Sequence, residues 1–378
     1  MKKQIIILIF VILPLLSFAQ DERVIKMTTP CSEEFLQNVK GRWLDYGAGL
    51  NATISKQEQQ EIFKRLDKIH QFVFNIYPSP LGFDAAQSRH TFDDDFAYQV
   101  KLDHLENGNT RESRINGVPV VRYYYEAYFG KYGCAYNDNH KMLRGLPSED
   151  VELFHVYANA FTFLEEGPYE MNIEGRKILM MPAVKGKWKE YTTFYIPEQG
   201  RGLTYVLLHR DGMLPYTTVT RKQYLDLAII SIGKMYDEMI ADIEKNAKAA
   251  IDAGLADPQT LKKNKESYQK QKKDVLKYYS DELAATTAAG LLDAPAVIPF
   301  SICDIDLGRA IFTTQEAGGR LLVTENPAYM RKNTPKYMPQ FFVLSFEWTG
   351  WSNKQKNDPL NVVYENFPVE QLQAMIDK

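Results

Sequence analysis

The segment between Leu203 and Asn246 constrains the fold most strongly. Residues Thr204–Leu208 are β-branched and apolar enough for a buried strand, and the turn residues Asp211–Gly212 end it. Thr220 and Gln223 have the spacing of a capping box, which fixes where the next helix begins. Its apolar residues recur at helical spacing: Leu225, Ala228, Ile229, Ile232, Tyr236, Met239, Ile243 and Ala247. A strand followed by a long helix with one apolar face is therefore predicted.

A second helix is predicted to begin at Asp257–Pro258 and to run to about Ala289. It is rich in lysine and has a thin apolar stripe, so we expect it to pack on the first helix and leave most of its surface in water. Together the two helices predict a long antiparallel helical hairpin over residues 220–290. The lysine-rich face of the second helix suggests an alternative function, in which the hairpin docks to an acidic partner in the envelope.

The remaining patterns predict an α+β fold. Ser55 and Glu58 form another capping box and open an N-terminal helix, whereas residues 84–116 are polar and predict an irregular segment. Strand-like patterns cover residues 118–136, 176–181, 297–303, 310–314, 320–324 and 341–348. Residues 151–164 fit either a helix or a strand buried on both faces, and the strand is favoured. Runs of strands interrupted by helices favour a mostly antiparallel β-rich body.

The predicted divisions of the chain follow from this order of elements. They are a signal peptide at 1–19, an α/β-rich N-terminal region at 20–219, the hairpin at 220–290, and a C-terminal β-rich region at 291–378 that packs on the N-terminal body. No sequence repeat of 20–50 residues is visible.

The N-terminal residues resemble a cleavable export signal. Lys2 and Lys3 precede the apolar run Ile5–Leu16, and Ser17–Ala19 supplies small residues at a cleavage site. We expect a periplasmic or secreted protein that is not a lipoprotein and has no transmembrane segment after cleavage. An N-terminal membrane anchor is the alternative.

Charge and cysteine content narrow the possible partners. The formal net charge of −3 gives no reason to expect binding to nucleic acid. In an oxidising compartment Cys31 and Cys134 are the predicted disulfide, with Cys303 left over. Three unpaired thiols are the alternative.

Catalytic signatures are absent from the sequence, and no cofactor is predicted. It has no HExxH, CxxC, GxSxG, P-loop or dinucleotide fingerprint. Asp304 and Asp306 follow an apolar strand and are weak candidates for a divalent-cation site. With Asp93 and Asp94 they define the alternative function, an extracytoplasmic hydrolase that uses carboxylates. No catalytic residue is assigned.

Aromatic residues are the better binding candidates. Trp348 and Trp351 end a strand and could stack on sugar rings, although the favoured interpretation is that both rings close the end of a core. Tyr216 and Arg221 flank the start of the long helix, where an anion-friendly N-terminus is expected. The tyrosine-rich stretch Tyr123–Tyr128 is interpreted mainly as core.

Three segments together resemble a group of secreted bacterial envelope proteins that have no assigned reaction. They are SFAQ at residues 17–20, LPYTTVTRKQYL at 214–225 and NPAYMRKNTPKYMPQF at 326–341. The resemblance covers about the last half of the chain, implies an exported envelope protein and carries over no catalytic residue. The sequence therefore predicts an exported, non-catalytic binding or structural protein of the envelope. Its ligand is expected to be a glycan or a peptide, and its partner an envelope glycan or protein.

Overall fold

The computed structural model describes residues 24–27, 38–49, 54–92, 114–115, 118–137, 142–168, 171–198, 201–254, 257–299, 310–349 and 358–378. The helices are α1 (Lys56–Ile76), α2 (Arg221–Asp252), α3 (Pro258–Ala288), α4 (Pro359–Asn366) and α5 (Val369–Gln373). The strands are β1 (Val24–Met27), β2 (Trp43–Gly49), β3 (Phe83–Phe92), β4 (Arg114–Ile115), β5 (Val118–Pro119), β6 (Arg122–Asn137), β7 (Met142–Ala158), β8 (Glu165–Glu166), β9 (Asn172–Ile173), β10 (Arg176–Lys177), β11 (Leu179–Met181), β12 (Ala183–Trp188), β13 (Tyr191–Glu198), β14 (Arg201–Leu208), β15 (Tyr216–Thr218), β16 (Val297–Ile298), β17 (Arg320–Glu325) and β18 (Phe342–Thr349). The α+β class is confirmed.

A nine-stranded sheet forms the centre of the molecule. Its order is β12-β13-β14-β18-β7-β6-β3-β2, and β1 pairs with β6. Neighbouring strands are antiparallel except for the parallel pair β2 and β3. Because β18 lies between β14 and β7, the C-terminal region supplies a central strand to the sheet of the N-terminal region.

Helices α1, α4 and α5 cover one face of this sheet. The N terminus of α1 has the predicted capping box, in which Ser55 Oγ accepts from the Glu58 N–H and the Glu58 carboxylate accepts from the Ser55 N–H. Ile62, Leu66 and Ile69 are fully buried on the sheet side of α1. This capped amphipathic helix confirms the prediction for residues 55–76.

A smaller sheet, ordered β15-β17-β11-β8 with β16 paired to β17, covers part of the opposite face. Its strands β11 and β17 carry apolar residues on both sides. Leu179 and Val323 pack towards the large sheet, whereas Met180 and Leu322 pack towards α2 and α3. The order of layers is therefore helices, large sheet, small sheet and helix pair.

The helices α2 and α3 are antiparallel neighbours. Lys272 of α3 pairs with Asp237 of α2 at 2.6 Å, and Lys265 pairs with Glu244 further towards the connection. Thr220 and Gln223 form the predicted capping box, with Oγ1 of Thr220 3.2 Å from the Gln223 nitrogen. Within the described part of the chain, no helix has the length and apolar character needed to cross a membrane.

Two local predictions are wrong. Residues Phe83–Phe92 form β3, although residues 84–116 were predicted to be irregular. The prediction is wrong because Ser88 and His90 of β3 belong to a polar region of the sheet. The strand therefore lacks the alternation of apolar and polar residues that indicates a half-buried strand. Ala310–Thr314, predicted as a strand, has no strand pairing in the described structure; Ile311 and Phe312 fill the core under α2 and α3 from a loop.

Replacing Thr220 with Ala should lower the free energy of unfolding by about 1 kcal/mol, because the Gln223 N–H loses its cap. Urea unfolding measures this change. The slope of the free energy of unfolding against urea concentration should stay the same. Ser280→Ala, within exposed α3, is the matched control and should not destabilise. Equal losses in both variants would contradict the capping role.

Candidate functional site

Trp348 belongs to the core rather than to an open surface. Its side chain is 6% exposed, stacks on Phe346 with ring centroids 5.8 Å apart, and donates Nε1–H to Asn361 Oδ1 at 2.8 Å. Tyr364 lies against the same ring at 5.5 Å. Both the face and the polar edge of the indole are therefore occupied by the protein itself.

Tyr216 and Arg221 are also engaged. Tyr216 is partly buried against the core between the two sheets, and the Arg221 guanidinium lies 4.6 Å from the Phe312 ring. The expectation of an anion-friendly N-terminus at α2 is wrong, because chain 292–294 folds over it. The Arg221 N–H donates to Ala294 O at 2.9 Å, and the Lys222 N–H donates to Leu292 O at 3.0 Å. No vacant donor remains in this first turn.

Several predicted residues lie outside the described residues. They are Trp351, Asp93, Asp94, Asp304, Asp306, Cys31 and Cys303. Cys134 lies in β6, opposite Arg144 of β7. The disulfide between Cys31 and Cys134, the binding role of Trp351 and the carboxylate site remain predictions.

The side chains on β6 alternate between two environments. Tyr123 and Tyr125 are fully buried under α1, whereas Tyr124, Glu126 and Tyr128 point to the opposite face and are partly exposed. Cross-strand pairing extends this second face over β3, β7 and β18. The rows are His90–Tyr124–Tyr157–Val343, Ser88–Glu126–His155–Ser345 and Ala86–Tyr128–Leu153–Glu347.

The side chains that β3, β6 and β7 contribute to these rows include a polar group that we call the Glu126 cluster. Its members are Ser88, His90, Tyr124, Glu126, Tyr128, His155 and Tyr157. Glu126 Oε1 receives a hydrogen bond from His155 Nε2 at 2.8 Å, and Oε2 receives one from Ser88 Oγ at 2.8 Å. The Tyr128 hydroxyl also donates to Oε2. Three side chains from three strands thus converge on one carboxylate.

These donors decide the charge state of Glu126. Burial alone would raise the pKa of its carboxyl group, but the hydrogen bonds from His155, Tyr128 and Ser88 and the charge of His155 hold that pKa at about 2. Burial raises the pKa of Tyr124 to about 12, and the Glu126 charge adds to the effect. At neutral pH the cluster therefore contains an anion surrounded by neutral phenols.

The two histidines occupy different positions in this network. The hydroxyl hydrogen of Ser88 is used by Glu126, so the 2.9 Å contact between His90 Nε2 and Ser88 Oγ assigns the imidazole proton to Nε2. Burial lowers the pKa of His90, and the ring is neutral at pH 7. His155 Nδ1 is buried and has no hydrogen-bond partner among the described residues.

The aromatic rings of the cluster stand side by side. His90 and Tyr124 are stacked with centroids 4.8 Å apart, Tyr124 and Tyr157 are 5.3 Å apart, and His155 stacks on Tyr157 at 5.2 Å. Since the ring faces contact one another, the cluster presents hydroxyl and imidazole edges. Such a surface forms directional hydrogen bonds.

One aromatic side chain at the margin of the cluster remains open. Tyr46 of β2 is 62% exposed, and its ring lies 5.6 Å from that of Tyr128 in an edge-on contact. Gly49 brings β2 close to the cluster: a Cβ atom there would lie 2.6 Å from His90 Nδ1. A side chain at position 49 would displace the His90 ring.

The described residues contain no group of three or more His, Cys, Asp or Glu side chains arranged to hold a metal ion. The cluster combines a fixed negative charge with hydroxyl groups, and the exposed ring of Tyr46 lies beside it. This arrangement suits the binding of a hydrogen-bonding ligand. Comparison of the chain with protein-family models, with curated proteins and with solved structures found no match.

The sequence contained one signal for this site. Within the aromatic stretch Tyr123–Tyr128 one charged residue, Glu126, occurs. A strand buried on one face needs partners for such a carboxylate on the other. Ser88 and His155 could not be identified as those partners, because strand pairing between distant segments is absent from a single sequence.

The free energy of unfolding should fall at low pH, because the Glu126 carboxylate becomes protonated. Its pKa lies near 2 in the folded protein against an ordinary 4.5, so the contribution is complete above about pH 5 and is lost as the pH falls towards 2. The effect amounts to at most about 3 kcal/mol. Urea unfolding of wild type and Glu126→Gln across this range should give converging stabilities. Glu190→Gln, at a side chain 92% exposed, is the control and should parallel wild type.

Trp348→Ala should lower the free energy of unfolding by about 3–5 kcal/mol, because it empties a packed aromatic site and leaves Asn361 without its indole donor. Thermal and urea unfolding measure the loss. If Trp348→Ala kept its stability but no longer bound a ligand, Trp348 would instead be a binding residue.

Proposed function

We propose that this protein is an exported, non-catalytic binding protein of the cell envelope, and that its ligand is a glycan held by Tyr46 and the Glu126 cluster. Export rests on the signal-like segment at residues 1–19. The observation that carries the binding proposal is the open Tyr46 ring, 62% exposed, beside a preorganised set of hydrogen-bonding groups.

The chemistry of the surface supports a glycan ligand. Sugars present hydroxyl groups around their edges and an apolar C–H face, and aromatic rings beside polar groups match both. Tyr46 supplies the ring face. Tyr128 and Glu126 supply acceptor oxygens, and His90 supplies Nδ1 as an acceptor. Hydrogen bonds to Glu126 and to Ser88 fix the positions of these groups.

The position of the cluster favours a glycan over a peptide. Extended peptides commonly bind by adding a strand to an exposed sheet edge, and helical peptides bind in apolar grooves. The cluster instead lies on the face of β3, β6 and β7, and its three strands are already paired with one another. Contacts here are made by side chains, so a ligand rich in hydroxyl groups suits the site better.

The electrostatics favour binding over hydrolysis at this site. A general acid or base works best when its pKa lies near the working pH. The pKa of Glu126 is held at about 2, and each oxygen already accepts hydrogen bonds. Ser88 and Ser345, the hydroxyls in its row, are each only 3% exposed. The alternative hydrolase rests on Asp93, Asp94, Asp304 and Asp306, which lie outside the described residues.

Tyr46→Ala should weaken glycan binding by about tenfold, equivalent to ~1.4 kcal/mol, because stacking on the open ring is lost. The mature protein is screened against envelope oligosaccharides, and the best ligand is then titrated calorimetrically against the variant. Because Tyr46 is 62% exposed, its removal should change stability little.

Val184→Ala is the matched control for this experiment. Val184 is 50% exposed and lies on β12, at the far edge of the same sheet. Its variant should bind as wild type does. Glycan binding that survives Tyr46→Ala unchanged, or a screen in which no oligosaccharide binds, would refute the proposed site.

A further inference from the structure

A buried arginine lies in line with the Glu126 cluster. Arg122 is the first residue of β6 and pairs with Phe92 of β3, without a register shift between it and Glu126. Because side chains alternate along a strand, Arg122 faces the same side of the sheet as Tyr124 and Glu126. It adds a fourth row to the face, beyond the His90–Tyr124 row.

The guanidinium of Arg122 has no counter-charge in the described structure. The residue is 5% exposed, and its Nε and Nη1 atoms are buried with no hydrogen-bond partner among the described residues. Other arginines of the same sheet region are paired: Arg89 bridges Asp45 at 2.7 Å and Asp67 at 2.8 Å. Arg122 thus differs from its neighbour in lacking a carboxylate.

An unpaired buried cation is unfavourable. Removing a guanidinium from water costs free energy that only a charge partner and hydrogen bonds restore, and arginine stays protonated under all ordinary conditions. Its planar donors match the oxygens of a carboxylate or a phosphate in a bidentate geometry. The missing partner is therefore an anion.

We propose that Arg122 binds an acidic group, a carboxylate or a phosphate, of a linear glycan that lies along β6. This inference rests on the proposed function and specifies the class of glycan. Arg122 and Tyr128 are six residues apart on one strand, which corresponds to about 20 Å. A ligand that contacts Arg122 at one end and Tyr46 beside Tyr128 at the other is a chain of several sugars.

The test compares acidic and neutral forms of the same glycan by calorimetry on the mature protein. One pair is an oligogalacturonide and its methyl ester, and the other is a phosphorylated mannose oligosaccharide and its dephosphorylated form. Wild type should bind the acidic member of one pair roughly 10- to 100-fold more tightly, as for hydrogen bonds to a charged group. The pair whose acidic and neutral members differ in affinity shows whether Arg122 binds a carboxylate or a phosphate.

Two substitutions of Arg122 distinguish recognition of the acidic group from a purely structural role of this side chain. Arg122→Met should abolish the preference for the acidic form, while Arg122→Lys should retain part of it because the charge remains. Without ligand, Arg122→Met should unfold at the same temperature as wild type or higher, since an unpaired buried charge is removed. Arg89→Met, which breaks two ion pairs, is the control and should lower the unfolding temperature without changing the acidic preference.

The possible failures are distinguishable. Equal binding of acidic and neutral glycans that still depends on Tyr46 would overturn the role of Arg122 and leave the proposed function intact. Binding of neither form would refute both. If Arg122→Met destabilises the ligand-free protein and replacing Asp93, Asp94 and Asp95 with Asn does the same, the partner of Arg122 is internal, and the inference is wrong.

Discussion

Strands β11 and β17 connect the large sheet to the helix pair α2 and α3, because both of their faces are apolar. Leu179 and Val323 complete the core beneath the large sheet, and Met180 and Leu322 complete the core beneath α2 and α3. The long helix is capped by its own Thr220 and by the backbone of residues 292–294. A polar residue in either strand would therefore disturb one of two cores.

The β6 strand combines stability with a polar surface. Tyr123 and Tyr125 bury their rings under α1, while Glu126, the next residue after Tyr125, requires partners on the other face. A shift of one residue in the pairing would place a carboxylate in the apolar core. The polar cluster thus specifies the register of β3, β6 and β7 as strongly as the core does. A binding surface on this face follows from side chains that also determine the fold.

Local sequence signals predicted those elements whose stability is local. The capping boxes at Ser55 and Thr220 and the turn before α3 depend on residues a few positions apart, and they formed as predicted. β3 and the Glu126 cluster depend on pairing between residues 29 to 38 positions apart, which leaves little periodic signal. Trp348 illustrates the remaining difficulty: an indole at a strand end suits a ligand or a core, and only the positions of Phe346 and Tyr364 decide between them.

The central position of β18 has a consequence for how the chain is made. Synthesis proceeds from the N terminus, so β7 and β14 emerge long before residues 342–349, their shared neighbour. Until then each presents a row of unpaired backbone donors and acceptors, which is a template for pairing with another chain. A nascent chain therefore exposes both strand edges until residues 342–349 have left the ribosome, and a product truncated before β18 would be prone to aggregate.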